Sequence, residues 1–179
     1  TEALLEYWKD DPVNLFSLLC DANESQFDSI FDQIRTHRER AIVLGTAFLK
    51  TPVASYANET WKERFGLRQA NAAVMLLRLN AAAQVWPLLK HSPDPRIRSY
   101  IIHWFRRRGG DPEGIIKRYQ AEQDVSAKRA LLLTLGEFEL DGMQKAKWIE
   151  TLVTVYRQDT DSGLHGVAEY ILRKWGETQ

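Results

Sequence analysis

The sequence predicts an all-α protein, and more specifically an α-solenoid of paired helices. Apolar residues recur at helical spacing through most of the chain, as at Ile97, Tyr100 and Trp104. No stretch alternates apolar and polar residues over the roughly 4 to 8 positions that a half-buried strand needs. A short charge motif also recurs along the second half of the chain, which is typical of repeat architectures.

Helix boundaries follow from capping signals and from periodicity. Asp11, Asp94 and Asp111 each precede a proline, and a carboxylate that accepts from free backbone amides, followed by proline in the first turn, is a typical helix start. Asn23 and Asn58 are interpreted as N-caps for the same reason. The predicted helices cover residues 2–9, 12–20, 24–36, 38–50, 59–65, 67–79, 82–90, 96–107, 112–121, 126–138, 144–157 and 164–175.

The composition is that of an ordinary globular protein without overall charge. The 179 residues are 44% hydrophobic and 27% charged, with 24 Lys and Arg against 24 Asp and Glu, which excludes a disordered or collagen-like chain. Zero net charge removes the general attraction on which nonspecific nucleic-acid and anionic-membrane binding relies. Cys20 is the single cysteine, and neither a signal-like N-terminus nor an apolar run of membrane length is present. We therefore expect a cytoplasmic protein with no membrane partner.

An acidic residue stands four positions before a basic or imidazole residue at the start of three apolar helices. The first and second of these pairs are 30 residues apart, and the second and third are 37 apart. A shorter helix precedes each motif helix, and stacked helix pairs are how a solenoid buries its apolar faces. The pairs are Asp94 with Arg98, Asp124 with Lys128, and Asp161 with His165.

The motif helices resemble the second helix of HEAT repeats over about residues 66 to 176. The resemblance is carried by DPRIR at 94–98, DVSAKRA at 124–130 and LG at 135–136. The third pair departs from the pattern, because His165 stands where the pattern has Arg, and the longer second interval implies an insertion around residues 139–147. In HEAT stacks such pairs form ladders between neighbouring repeats, so the resemblance implies this structural role for the six residues above, with a catalytic role as the alternative.

A narrower resemblance is to a HEAT-like segment of large bacterial multidomain proteins. It is carried by QANAA at 69–73, VWPLL at 85–89, HSPDP at 91–95, RALLL at 129–133 and GEF at 136–138. In those proteins, the resemblance implies, such a segment lies beside a Ser/Thr protein kinase domain or a formylglycine-generating-enzyme-like domain. Together the resemblances imply an N-terminal helical segment over residues 1–60 and HEAT-like repeats over residues 61–179, or one continuous solenoid domain.

The candidate partner-binding residues are arginines and tryptophans. A cationic last turn before Gly109 counters the partial negative charge of a helix C-terminus, so a solvated helix end is the alternative to an anion-binding surface there. An exposed, rigid aromatic side chain is a typical anchor for a protein partner. Four tryptophans are in phase with apolar neighbours and are predicted core residues: Trp8, Trp104, Trp148 and Trp175. The candidates are Trp61, Trp86, Arg96, Arg98, Arg106, Arg107, Arg108 and Arg118.

No catalytic or metal-binding constellation stands out in the sequence. The four histidines are never spaced three to five residues apart, as two metal ligands on one helix would be. Cys20 has no recognisable base motif to activate it and is interpreted as a small buried hydrophobe. Glycine-rich phosphate loops and the G-x-S-x-G elbow are also missing from the sequence. We therefore expect no enzyme activity, no metal and no cofactor.

Three functions follow as hypotheses. The first is a non-catalytic protein-interaction or scaffold module, acting as a regulatory or docking segment of a larger bacterial protein, with a protein partner or a neighbouring domain of the same polypeptide. The second is a HEAT-like DNA-binding protein or DNA glycosylase that uses Trp86, Trp104 and the arginines from Arg96 to Arg118; zero net charge counts against nucleic acid. The third is a spacer between two flanking domains.

Overall fold

The structure, a computed structural model, describes residues 2–54 and 57–177. The described chain is helical and contains no β-strand, which confirms the all-α prediction. Four short 3₁₀ turns lie in three of the described connections: one directly after α3, two between α5 and α6, and one after α6. The α-helices are α1 Glu2–Trp8, α2 Pro12–Cys20, α3 Glu24–Ile34, α4 Arg38–Leu49, α5 Glu59–Arg78, α6 Arg96–Trp104, α7 Pro112–Ala121, α8 Val125–Leu135, α9 Gly142–Gln158 and α10 Ser162–Lys174.

Three of the five predicted N-caps form as the sequence indicated, whereas the prediction for Asp94 is wrong, because Pro95 takes the N-cap position of α6. Asp11 accepts from two backbone amides of α2 at 3.0 and 3.1 Å, and Asn58 accepts from the Trp61 amide at 2.9 Å. Asn23 closes a capping box with Gln26, in which each side chain accepts from the other residue's amide. Local side-chain hydrogen bonds therefore fix where these helices begin.

The helix predictions are wrong at two places, residues 59–79 and residues 82–90. The helices expected at 59–65 and 67–79 are one helix, α5, which passes through Gly66 without a break. A single glycine costs a helix about 1 kcal/mol, and here it is buried beside Arg96 of α6, where an added Cβ would lie 3.4 Å from the arginine Cβ. The helix expected at 82–90 is instead two 3₁₀ turns, Ala82–Gln84 and Trp86–Leu89, because Pro87 offers no amide N–H to continue an α-helix.

The described residues belong to two compact units, Thr1–Asp111 and Pro112–Gln179. In the first unit α5 packs against α2, α4 and α6, and its residues 69–77 are all buried. The boundary that the sequence suggested, between residues 60 and 61, falls inside α5. None of the described helices combines the length and the apolar character needed to cross a membrane.

Two amides at the centre of α5 hold the ends of other helices. Gln69 donates from Nε2 to the carbonyls of Phe48 and Thr51, both at 3.2 Å, at the end of α4. Asn71 donates from Nδ2 to the carbonyls of Cys20 and of Ala22, both at 2.9 Å, at the end of α2. The last carbonyls of a helix lack partners within it, so α5 satisfies groups that burial would otherwise leave unpaired.

In the second unit the helices pack as two successive pairs. α7 packs against α8, α9 against α10, and α8 also contacts α10. Gly136 at the end of α8 allows this last approach, because an added Cβ would lie only 2.8 Å from Cγ1 of the buried Ile171 in α10. A side chain larger than hydrogen would therefore push α8 and α10 apart.

We predict that Gly136→Ala lowers the free energy of unfolding by about 1 to 3 kcal/mol, the usual cost of overpacking a core. Gly166→Ala is the matched control, since this glycine lies in α10 with no atom within 4 Å of an added Cβ. It should raise the free energy of unfolding by about 0.5 to 1 kcal/mol, because alanine is the better helix former. Urea denaturation measures both values, and equal stabilities for the two variants would contradict this packing.

Candidate functional site

The predicted arginine cluster is divided between the two units. Arg96, Arg98 and the triplet 106–108 belong to the first unit, whereas Arg118 belongs to α7 of the second. Arg106 and Arg107 are exposed, and Arg108 is 4% exposed. Each arginine therefore has its own environment and its own set of partners.

Arg96 is held by carboxylates. Its guanidinium donates to Glu63 at 3.1 Å and to Asp94 at 2.5 Å, and it also pairs with Glu59. Hydrogen bonds from Lys62 and from Arg96 hold the pKa of Glu59 below its ordinary value. Since Glu59 and Glu63 lie on α5, these ion pairs join the start of α6 to α5.

Two other candidate arginines also have internal partners. Arg98 donates from Nε to the Leu89 carbonyl at 2.9 Å, and Arg118 pairs with the buried carboxylate of Glu122. Burial raises the pKa of Glu122, but hydrogen bonds from the amide of Asp124 and from Arg118 outweigh burial and leave the pKa below its ordinary value. Arg118 thus stabilises a buried anion within the second unit.

Arg108 differs from its neighbours in the triplet because its partners are aromatic rings. Its guanidinium carbon lies 3.9 Å from the ring centre of Trp104 and 5.7 Å from that of Phe27. Burial lowers the pKa of Arg108 to about 10, so the guanidinium stays charged at neutral pH. Arg107, by contrast, is exposed and lies 3.7 Å from a carboxylate oxygen of Glu24.

Two of the three acids of the recurring motif cap helices. Asp124 accepts from the Ala127 amide at 3.0 Å at the start of α8, and Asp161 accepts from the Leu164 amide at 2.7 Å at the start of α10. Asp94 accepts from the Arg96 amide at 3.1 Å, although α6 begins after Pro95.

The bases of the motif contact other groups. Arg98 donates to the Leu89 carbonyl, and the His165 ring contacts the Asp159 carbonyl. Lys128 lies half-buried on α8. The link between α8 and α10 is made instead by Arg129, whose Nε donates to Asp161 at 2.8 Å. Arg129 was not among the predicted ladder residues, although its position directly after Lys128 in the motif made it a candidate.

The tryptophans divide by exposure. Trp148 is buried, as predicted, whereas Trp8, Trp86, Trp104 and Trp175 are half-buried. Trp61 is 42% exposed. Its ring stacks on Phe65 with centres 4.6 Å apart and planes at 15°, and further ring contacts lead to the half-buried Phe48 and from there to the buried Phe16.

Two features bear on nucleophilic and metal chemistry in the described residues: the state of Cys20 and the placement of possible metal ligands. Cys20 is 1% exposed, and burial raises the pKa of its thiol to about 12, so the reactive thiolate is scarce at neutral pH. No group of three or more His, Cys, Asp or Glu side chains in the described part of the chain is arranged to hold a metal ion.

A cavity of about 320 Å³ opens in the first unit. The turn between α2 and α3 forms one wall, α5 a second, and the end of α6 with the following 3₁₀ turn a third. Arg68, Asn71, Trp104 and Arg108 line it. Arg108 was among the residues predicted from the sequence, whereas Arg68 and Asn71 were not. Asn71 could have been noticed because it is a polar amide among the small, apolar residues of α5.

Comparisons of the chain with protein-family models, with curated proteins and with solved structures found no match. The observations that bear on function are therefore the pairing of the arginines, the exposed Trp61 and the cavity. The link between Arg129 and Asp161 can be tested directly through its effect on stability.

We predict that Asp161→Asn removes a pH-dependent part of the stability. The hydrogen bond from Arg129 holds the pKa of Asp161 below its ordinary value of 3.8. A lowered pKa in the folded state stabilises the fold above the ordinary value and ceases to do so as the pH falls through the lowered one. The advantage of the wild type over Asp161→Asn, measured by urea denaturation, should therefore shrink as the pH drops below 3.8.

Asparagine keeps the N-cap in this variant, so the difference reports the charge. In an Arg129→Met background the same substitution should have a much smaller effect, because the partner is gone. A pH-independent difference between wild type and Asp161→Asn would contradict the ion pair.

Proposed function

We propose that the chain is a non-catalytic protein-interaction module, an α-solenoid of HEAT-like helix pairs that serves as a regulatory or docking segment of a larger bacterial protein. Its partner is another protein or a neighbouring domain of the same polypeptide. The proposal is supported by how successive helices pack within each unit and by the aromatic side chain that the first unit leaves exposed.

Packing within each unit supports the solenoid. In the second unit α8 and α10, the second helices of two successive pairs, are joined by Arg129 with Asp161 and by Lys174 with Glu137 at 3.0 Å. In the first unit α5 and α6 are joined in the same way by Arg96 with its carboxylates. Polar links between consecutive second helices, as in the second unit, are what a ladder between neighbouring repeats requires; in the first unit two 3₁₀ turns take the place of the first helix before α6.

The observation that carries the binding function is the exposure of Trp61. Stacking on Phe65 holds the indole in one orientation, so little conformational entropy is lost when a partner covers it. Exposed charged side chains at Glu59 and Arg64 stand on the same helix, and charged residues are typical of the rim around an aromatic anchor in protein interfaces. A protein partner fits this combination.

The arginines favour a protein partner over DNA. Arg96, Arg107 and Arg118 each have a carboxylate within ion-pair distance. A DNA phosphate would have to displace these carboxylates, and a chain with zero net charge provides no general attraction in compensation. A glycosylase or another DNA-binding protein is therefore the weaker alternative.

We predict that Trp61→Ala weakens binding to the protein partner by at least about 30-fold, since truncating an aromatic anchor costs about 2 kcal/mol or more. Tyr7→Ala is the matched control, because Tyr7 is 81% exposed in the same unit. The partner is first isolated on immobilised wild-type chain from an extract of the source cells, then titrated against each variant by calorimetry.

Equal affinities for Trp61→Ala, Tyr7→Ala and the wild type would show that Trp61 is not the anchor. Salt-dependent binding of duplex DNA in a gel shift, or turnover of a substrate by the purified chain, would contradict the non-catalytic module itself. Circular dichroism of each variant confirms that the helices are retained.

A further inference from the structure

The cavity of the first unit collects the polar atoms that lack partners. Three buried side-chain nitrogen or oxygen atoms without a hydrogen bond are found in the described part of the chain: Nε of Arg68, Oδ1 of Asn71 and Nε of Arg108. All three side chains line this one cavity. Buried polar atoms are nearly always hydrogen-bonded. Two of these three are guanidinium donors and one is an amide acceptor, so together they indicate a missing partner that carries both an acceptor and a donor.

We propose that this cavity binds a small organic anion through Arg68 and Arg108. The ligand carries a carboxylate or a phosphate on a body small enough for about 320 Å³, which is at the lower end of the volumes of small-molecule sites. This site goes beyond the protein-interaction function, because it rests on the cavity and its unpaired polar atoms rather than on Trp61.

Arg108 is the cavity residue that an anion would stabilise most, because its guanidinium is buried. Its Nε has no hydrogen-bond partner among the residues that the structure describes, and its guanidinium contacts the rings of Trp104 and Phe27. The Glu24 carboxylate attracts this charge without forming an ion pair with it. A buried charge without a paired counter-ion is costly, and an oxyanion placed against the guanidinium lowers that cost. The guanidinium fork matches the two oxygens of a carboxylate or phosphate.

Arg68 offers a second donor. Its Nε lies 3.5 Å from Oδ1 of Asp21, an ion-pair distance too long for a hydrogen bond of good geometry. Arg64 lies at the same distance from the same oxygen. Three arginines therefore line the cavity against the two carboxylates Asp21 and Glu24, which leaves a net positive lining for an anion.

Asn71 fixes the shape of the cavity floor. Two backbone carbonyls accept from its amide group, so that group must be Nδ2 and the remaining atom must be the acceptor Oδ1. The same two bonds hold the turn from Cys20 to Ala22 against α5. The cavity is thus formed by a well-tethered turn before any ligand arrives.

The walls also limit the body of the ligand. Arg108 and Tyr100 both lie within 4.5 Å of the ring centre of Trp104, and the Tyr100 ring is stacked on the indole. A nucleobase would have to displace one of these groups in order to stack on Trp104. The ligand is a small, non-stacking acid rather than a nucleotide base.

The test titrates the full chain with L-malate as a carboxylate probe and with glycerol 3-phosphate as a phosphate probe, with glycerol as the uncharged control. Calorimetry gives the affinity, and the Nε–Hε resonance of Arg108 in ¹⁵N NMR spectra gives the location. We expect at least one of the two anions to bind and to shift this resonance, glycerol to do neither, and the stronger probe to identify the oxyanion.

Arg108→Met should weaken that binding at least about tenfold, because it removes a charge-assisted hydrogen bond. It should also leave the melting temperature of the ligand-free chain unchanged or higher, since an unpaired buried charge is replaced by an apolar side chain. Arg106→Gln is the matched control within the same triplet and should bind like the wild type. A purely structural role for Arg108 predicts the reverse pattern, a lower melting temperature with no change in binding.

Arg108→Lys keeps the charge without the planar fork and provides a second variant if Arg108→Met does not fold. It should weaken binding with the helical content retained. The proposal is overturned if neither anion shifts the Arg108 resonance, or if Arg106→Gln weakens binding as much as the Arg108 variants do.

Discussion

The first unit depends on the burial of α5. A helix buried over residues 69–77 presents few polar groups. Its two side-chain amides donate hydrogen bonds to the ends of neighbouring helices, Gln69 to α4 and Asn71 to α2. These bonds set where α2 and α4 stop relative to α5. The turn that follows α2, and with it one wall of the cavity, takes its position from Asn71, so the candidate ligand site is a consequence of how the core is tied together.

Charge in this chain is used mainly inside the fold. Arg96 joins α6 to α5, Arg129 joins α10 to α8, and Arg118 neutralises a buried carboxylate. Exposed ion pairs contribute little each, usually between 0 and about 1 kcal/mol, but they fix which helix faces which. Arg108 is the exception, because its charge is buried against aromatic rings and makes no ion pair with a carboxylate of the described residues, and that exception is what points to a ligand.

The two proposals use separate parts of the first unit. Trp61 is exposed at the start of α5, whereas the cavity lies further along the same helix, around Asn71. A partner protein at Trp61 and a small anion at Arg108 would therefore share one rigid helix. This arrangement suits a docking segment, since α5 connects both places to the core. Arg64 lies between the two sites and lines the cavity, whereas Trp61 and Arg108 each belong to one of them.

The sequence by itself determined the all-α fold, most helix bounds and the N-caps at Asp11, Asn23 and Asn58, because these depend on periodicity and on hydrogen bonds within a few residues. Only the tertiary structure decided that α5 continues through Gly66, that Arg129 rather than Lys128 meets Asp161, and that Arg108 is buried while Arg106 and Arg107 are exposed. Neighbouring residues of one type look alike in a sequence. Which of them turns inward depends on the helix that packs opposite, and that contact is long-range.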